Sequence, residues 1–378
     1  MRKVALLIET DRAYGRGILR GISRYSHLHG PWSCYLEPGS IPRRLPELKG
    51  WGCQGIIARV ERPAFGAAIK RLGLPAVVLG YEAAAGQVRV GTHSENEGRM
   101  AAAHLLERGF RQFAYCGVPK QYSGERQRGF AERIEARGCR VSVYQRRWTT
   151  RERWWNGEQE HLAAWIAGLT KPAGLFACNA DQGRRVLEAC LAAGVAVPEE
   201  VAVLAVDDDE ILCSLAHPRL STIVLNTEKA GFEAAAALDR LMAGRKPDRW
   251  EIVVEPGRVV TRQSTDVLAI EDRDVALAVQ FIRERATSGI TVRDVLDAVP
   301  VSRRTLECRF QQFLGRSPHA EILRTRLERV KTLLVSTDLP MPKVAEAAGF
   351  ATPEYMACAF RRETGIKPGE YRRQHRGS

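Results

Sequence analysis

Arg303 and Arg304 stand directly after Ser302. A guanidinium placed near a helix start can donate two hydrogen bonds to the O6 and N7 edge of guanine. Leu306, Phe310 and Phe313 recur at helical spacing behind them and are expected to face a core. This leaves Thr305, Glu307 and Arg309 on the remaining faces of the same helix. Fifty residues further on the pattern returns: Thr352 takes the place of Ser302, Met356 of Leu306 and Phe360 of Phe310. Gly365 likewise takes the place of Gly315 and Pro368 that of Pro318. The second copy leads with Pro353, Glu354 and Tyr355, which carry no positive charge, so it is expected to position more than to specify. Arg361, Arg362, Lys367, Arg372 and Arg373 are candidates for phosphate contact or simply solvated cations.

Each copy reads as helix, tight turn, capping hydroxyl, second helix and glycine stop, the layout of a helix-turn-helix whose second helix enters a major groove. A long helix over 317–335 joins the copies, and the Pro-containing stretch 336–342 ends it.

Residues 1–265 follow a different rhythm. Ten short apolar runs (3–8, 32–36, 55–58, 76–79, 112–116, 141–144, 174–178, 201–206, 222–225 and 251–254) alternate with amphipathic helical stretches. That alternation predicts parallel sheets covered on both faces, and its restart near Arg111 predicts two doubly wound lobes with a cleft between them. Ligands of such sheets bind at the carboxyl ends of strands. Asp207 closes one strand pattern, Asn179 and Asp181 follow another, Asp11 and Tyr14 follow the first, and Arg126 begins a helix of the second lobe. Helix capping or turn formation is the plain alternative for each acid. Trp154 and Trp155 are expected in core or lobe-edge packing before stacking on a ligand.

The run Gly15-Arg16-Gly17-Ile18-Leu19-Arg20-Gly21 has glycines after a strand and before a helix, with Glu37 further on, as a dinucleotide-binding turn would. The residues between strand and first glycine, with bulky Tyr14 and Arg16 beside it, disfavour an NAD(P) enzyme. No zinc-protease, phosphate-loop or Ser-His-Asp pattern supports another enzyme class, and no cofactor or metal is expected.

The chain has 378 residues and a formal charge of +13, room for two or three domains and a balance suited to a polyanionic partner. Nine cysteines without a CxxC pair predict reduced thiols. The first apolar run is too short for a signal peptide, and no run is long enough for a membrane span, so a cytoplasmic protein is expected rather than a transport binding protein.

About 270–375 resembles the AraC family DNA-binding domain. The resemblance rests on Ala345-x-x-x-Gly349-Phe350, Phe360-x-x-x-x-Gly365-x-x-Pro368 and Tyr371-Arg372. It implies two helix-turn-helix units on one long helix; Cys308 departs from it, standing where the family often has a basic residue. The front resembles LacI-type and periplasmic sugar-binding cores. Here the carrying residues are Val90-Gly91, Glu95-Asn96-Glu97-Gly98-Arg99, Glu125-Arg126-x-x-Gly129-Phe130, Cys178-Asn179-Ala180-Asp181 and Val203 to Asp208. That likeness implies sugar contacts from Asp11, Tyr14, Arg126, Asn179, Asp181 and Asp207. His93 stands where the family usually has an acid.

The combination, with Ala13-Tyr14, Arg262-Gln263-Ser264-Thr265-Asp266 and Leu296-Asp297-Ala298-Val299, resembles bacterial activators of pentose operons along nearly the whole chain. The expected architecture is a two-lobed, type I periplasmic-binding-protein-like α/β domain over 1–265, a linker over 266–272 and an all-α AraC-type domain over 273–378. The expected function is a sugar-responsive transcription regulator that binds promoter DNA as a homodimer. A pentose such as D-xylose is the implied effector, with another carbohydrate as the alternative; activation is favoured over repression, and RNA polymerase is a candidate further partner. The DNA contacts are expected from Ser302, Arg303, Arg304, Thr305, Glu307, Arg309, Thr352, Pro353, Glu354, Tyr355 and Arg361.

Overall fold

Short runs rich in Val, Ile and Ala, apolar on both faces, are stable only where helices cover each side of a parallel sheet. The computed structural model describes residues 1–40, 45, 47–80, 86–144, 156–267 and 272–375, and it contains two such sheets. Its residues form two compact units, Met1–Leu105 with Arg111–Asp266, and Leu106–Phe110 with Val267–Ser378.

The strands of the first unit are β1 (Arg2–Leu7), β2 (Trp32–Leu36), β3 (Gly55–Arg59), β4 (Ala76–Leu79), β5 (Val88–Thr92), β6 (Gln112–Cys116), β7 (Val141–Val143), β8 (Ala173–Ala177), β9 (Val201–Val206), β10 (Ser221–Ile223), β11 (Glu251–Val254) and β12 (Val259–Val260). The helices between them are α1 (Ala13–His29), α2 (Leu48–Trp51), α3 (Pro63–Arg71), α4 (Ser94–Glu107), α5 (Gln121–Glu135), α6 (Asn156–Ala167), α7 (Ala180–Ala192), α8 (Glu210–Leu215) and α9 (Thr227–Met242). One sheet runs β11-β5-β4-β3-β1-β2 and the other β12-β10-β9-β8-β6-β7, the same winding twice. Every pairing is parallel except β10 with β12. Order therefore reverses between β1 and β3 in one lobe and between β6 and β8 in the other, which opens a crevice at the carboxyl ends of those strands.

Two strands go beyond the ten apolar runs. In β5, Arg89, Gly91 and Thr92 break the apolar run, and β12 is two residues long. Helices α4, α5, α7 and α9 start up to five residues earlier than their apolar periodicity, because their polar first turns read as loop; Arg126 accordingly lies inside α5 and does not begin it.

The glycine run of α1 has a packing cause. A Cβ at Gly17 would stand 1.9 Å from the Thr227 hydroxyl, and one at Gly21 2.0 Å from the Glu228 carbonyl. These glycines let α1 lie backbone to backbone on α9, and the turn offers no approach for a pyrophosphate.

In the second unit the helices are α10 (Arg273–Arg285), α11 (Val292–Asp297), α12 (Arg303–Leu314), α13 (Pro318–Ser336), α14 (Met341–Ala347), α15 (Pro353–Thr364) and α16 (Pro368–His375). Helix α13 gives Ile322 to the core around Phe310, and Leu327, Val330, Leu333 and Leu334 to the core around Phe360, so one helix braces both copies. Ser302 and Thr352 cap α12 and α15 by accepting from Thr305 N and Tyr355 N at 3.2 Å, and Gly315 and Gly365 close them with φ of 68° and 78°. The wholly buried Glu321 is held by Arg324 and Arg316. Burial alone would raise this carboxyl, but the two guanidinium groups overcome it and bring it down to about 2.

Candidate functional site

Both switch points deliver side chains to one cavity of about 150 Å³ in the first unit. From the first lobe come Tyr14, in the first turn of α1, and Arg59, the last residue of β3. The second lobe sends Tyr122 and Arg126 on α5, Asn179 after β8 and Asp207 after β9. The charges around this cavity are compensated almost completely. Arg126 is buried and donates to Glu97 and to the Cys178 carbonyl. Arg59 pairs with buried Glu9 and, at 3.4 Å, with Glu61. Arg12 reaches Asp181 at 2.6 Å and Lys120 reaches Glu61 at 3.7 Å. Each tyrosine is backed by an arginine: Arg59 lies 4.6 Å from the ring centre of Tyr14, and Arg126 4.8 Å from that of Tyr122.

Asp207 differs from the other acids. Its carboxylate forms no hydrogen bond or ion pair among the described residues, and it lines the cavity. Burial raises its pKa to about 6, against the pull of Arg126 and Arg59. Its backbone adopts φ of 78°, unusual for a residue with a side chain, and its N–H donates to the Ile223 carbonyl at 3.0 Å. A strained, desolvated acceptor facing an otherwise neutral cavity is suited to hydroxyl donors.

The expected sugar contacts divide into two groups. Tyr14, Arg126, Asn179 and Asp207 line this cavity. Asp11 and Asp181 border a wider outer space of about 700 Å³; Asp11 accepts from the Ser40 hydroxyl at 2.9 Å and Asp181 is taken by Arg12. Asn179 also does the work of a cap: its Oδ1 accepts from Gln182 N at 2.9 Å, and its amide donates to the Tyr122 hydroxyl at 3.2 Å. Arg59, Tyr122 and buried Glu9 escaped the sequence reading, and Glu97 entered it only as part of the motif Glu95 to Arg99, not as the partner of Arg126. A basic residue closing β3 was the signal available for Arg59. His93 sits where its Nδ1 can accept from Asn96 N at 3.3 Å, the capping place an acid would fill. Trp154 and Trp155 lie outside the described residues.

On α12, Ser302, Arg303, Arg304 and Glu307 are exposed. Arg303 is drawn to Glu307 at 2.9 Å, and the Thr305 hydroxyl lies 2.8 Å from that of Ser302. Arg304 has no side-chain partner among the described residues. Arg309 is held by Asp272 at 3.0 Å and Asp274 at 2.9 Å, where it fastens α12 to the start of α10. Cys308 and Gln311, four and seven residues after Arg304, are exposed on the same face and belong with it as candidate contacts; helical spacing was their signal. On α15, Thr352, Glu354, Tyr355 and Arg361 are exposed, Pro353 is partly covered, and the Tyr355 ring meets Phe350 edge-on. Arg372 donates to the Leu339 carbonyl at 2.6 Å and so braces its own unit.

No described helix is long and apolar enough to cross a membrane. Three family models match: a XylR N-terminal domain over residues 3–88, a periplasmic binding protein-like domain over 102–265 and a helix-turn-helix domain over 295–374. The chain is 30% identical to the xylose operon regulatory protein of Escherichia coli K12, over 98% of this chain and 96% of that one. Identity is also 30% to the Haemophilus influenzae protein of the same name, over 98% of each. A solved structure of a xylose-binding transcription activator, xylR, superposes with a TM-score of 0.63 at 29% identity, covering 99% of this chain and 98% of that one.

Proposed function

Because the chain belongs to the family of xylose operon regulatory proteins, we propose that it senses D-xylose in the cavity of its first unit and answers by changing its hold on promoter DNA. Membership makes it a sugar-responsive DNA-binding transcription regulator and not an enzyme.

The observation that carries the choice of ligand class is the state of Asp207. Every cation lining the cavity among the described residues has a carboxylate partner, so a sugar phosphate would find no uncommitted cation among them. Asp207 instead waits for donors, and a neutral sugar supplies hydroxyls in pairs. The cavity of about 150 Å³ suits a single small ring. Arg126, pinned by Glu97 and the Cys178 carbonyl, presents a fixed guanidinium edge, and Tyr14 and Tyr122 supply aromatic surface. In this reading Asp207 and Arg126 bind sugar hydroxyls directly, Arg59 and Asn179 complete the shell, and Asp11 and Asp181 act at the mouth.

Arg304 reads bases from α12, supported by Cys308 and Gln311, while α15 contributes chiefly to placement. The regulator acts as a homodimer and as an activator that meets RNA polymerase at its promoters, in the cytoplasm. Thermal unfolding of the purified protein in the presence of D-xylose, D-ribose, L-arabinose, D-glucose, xylose 5-phosphate and NAD(P) tests the ligand class. A rise with one free pentose supports the reading, whereas a rise only with the phosphate or the dinucleotide overturns it.

A further inference from the structure

Asp207, Asp208 and Asp209 are consecutive, yet each is tied to a different part of the first unit. Asp207 lines the ligand cavity. Asp209 crosses the cleft: it accepts at 3.1 Å from Ala13 N and from Arg16, and so caps the start of α1, where Arg12 supplies no cap of its own. Asp208 faces the other way. It accepts from the Thr222 hydroxyl at 2.6 Å and pairs with Arg262 at 2.7 Å.

Arg262 opens the segment by which the chain leaves this unit. Its guanidinium also donates at 3.0 Å to the Leu220 carbonyl and to the Thr222 hydroxyl. The Ser221 hydroxyl donates to the Arg262 carbonyl at 3.0 Å and accepts from the Thr265 hydroxyl at 2.8 Å. Ser264 donates to the Val203 carbonyl at 2.6 Å on the strand that ends in the aspartates. Ser221, Thr222, Ser264 and Thr265 have no solvent exposure, so each bond is made in a setting where losing it is costly. Thr265 also meets His104 Nε2 at 2.9 Å. The first unit ends at Asp266, and His104 lies just before Leu106, where α4 passes into the second unit. The hydrogen-bonded cluster thus joins the aspartate loop to two of the places where the chain crosses between units.

We infer that the Asp207-Asp208-Asp209 loop is the coupling element of the regulator: Asp207 senses the sugar, Asp209 holds the lobes closed, and Asp208 transmits the state of the loop through Arg262 to the exit segment. Arg262 and Asp208 are positioning residues and touch neither sugar nor DNA. This inference rests on the sugar-sensing reading above.

The test uses full-length protein and a duplex selected from a random library by the wild type in saturating D-xylose. DNA affinity is measured by fluorescence anisotropy with and without D-xylose, and sugar affinity by calorimetry. The wild type should change its DNA affinity with xylose by at least about fivefold. In Asp208→Asn that ratio should fall below about twofold, with xylose affinity and sugar-free DNA affinity each within about threefold of wild type. Arg262→Lys keeps the charge but cannot hold Asp208 and the Leu220 carbonyl together. It should uncouple likewise and takes over if Asp208→Asn does not fold; the double variant should be no worse than either single one. Variants that bind xylose and keep the wild-type ratio overturn the coupling role alone. A wild type whose DNA affinity ignores xylose overturns the sensing reading and this inference with it.

Discussion

Asp207→Asn should make the protein, measured without sugar, more stable and make it a poorer sensor. In the folded protein burial raises the Asp207 carboxyl from 3.8 to about 6. That difference is worth about 3 kcal/mol in favour of the neutral form. A carboxyl raised in this way binds its proton more tightly folded than unfolded. Stability therefore falls as pH rises between about 4 and 6, and the full penalty stands above that window. Asparagine is neutral throughout and tolerates positive φ at least as well as aspartate. At pH 7.5 the variant should gain up to about 3 kcal/mol, or about 6 °C in the melting transition of a unit of this size. At pH 4.5, where the wild-type carboxyl is itself largely protonated, the gain should shrink to about 1 kcal/mol. Sugar hydroxyls lose a charged acceptor, which costs about 1.5–3 kcal/mol, or about 10- to 150-fold in affinity. Differential scanning fluorimetry at both pH values and calorimetric titration with D-xylose measure these quantities. A variant that melts below wild type at pH 7.5 and still binds xylose normally would refute the assignment of Asp207 as a strained, unpartnered acceptor.

The remaining predictions concern pH, DNA reading and packing. Xylose binding by the wild type should weaken as pH falls through about 6, by up to tenfold per further pH unit, because the protonated Asp207 is a poorer acceptor; calorimetry between pH 5 and 7.5 gives the slope. Arg304→Ala should flatten base preference at one position by about 1–3 kcal/mol in a competition assay against mutated duplexes, and a uniform loss over all sequences would reassign it to phosphate. Glu321→Gln should cost about 3–5 kcal/mol in the DNA-binding unit at pH 7, since it leaves Arg316 and Arg324 without their buried carboxylate. In the wild type that contribution is present above about pH 4.5 and is lost as pH falls through about 2, so acid unfolding monitored by circular dichroism should show it. Gly21→Ala should destabilise the sensor unit by more than 2 kcal/mol, because its Cβ would stand 2.0 Å from the Glu228 carbonyl.

What the sequence displayed most clearly was local. Ser302 and Thr352 cap helices, Gly315 and Gly365 end them, and Leu306, Phe310, Met356 and Phe360 face cores; each of these roles depends on neighbours within a few residues. The winding of the two sheets was visible for the same reason, since strand and helix periods differ. The cavity was only half visible. Asp207 and Arg126 could be chosen because they follow strand ends or begin helical patterns. Arg59, Glu9 and Glu97 acquire meaning only when β1, β3 and α4 bring them together, and no spacing along the chain announces that. Arg309 shows the reverse: a cation on a recognition helix looks free in sequence, but Asp272 and Asp274 hold it. The glycines of α1 were ambiguous between cofactor turn and packing until α9 was seen against them.

The most direct test of the account is a calorimetric titration of the full-length wild type and of Asp207→Ala with D-xylose. Saturable binding at one site per chain is expected in the wild type, and loss of that binding in a variant that stays folded. Equal binding by both proteins, or no binding of xylose or any other free pentose by the wild type, would contradict it.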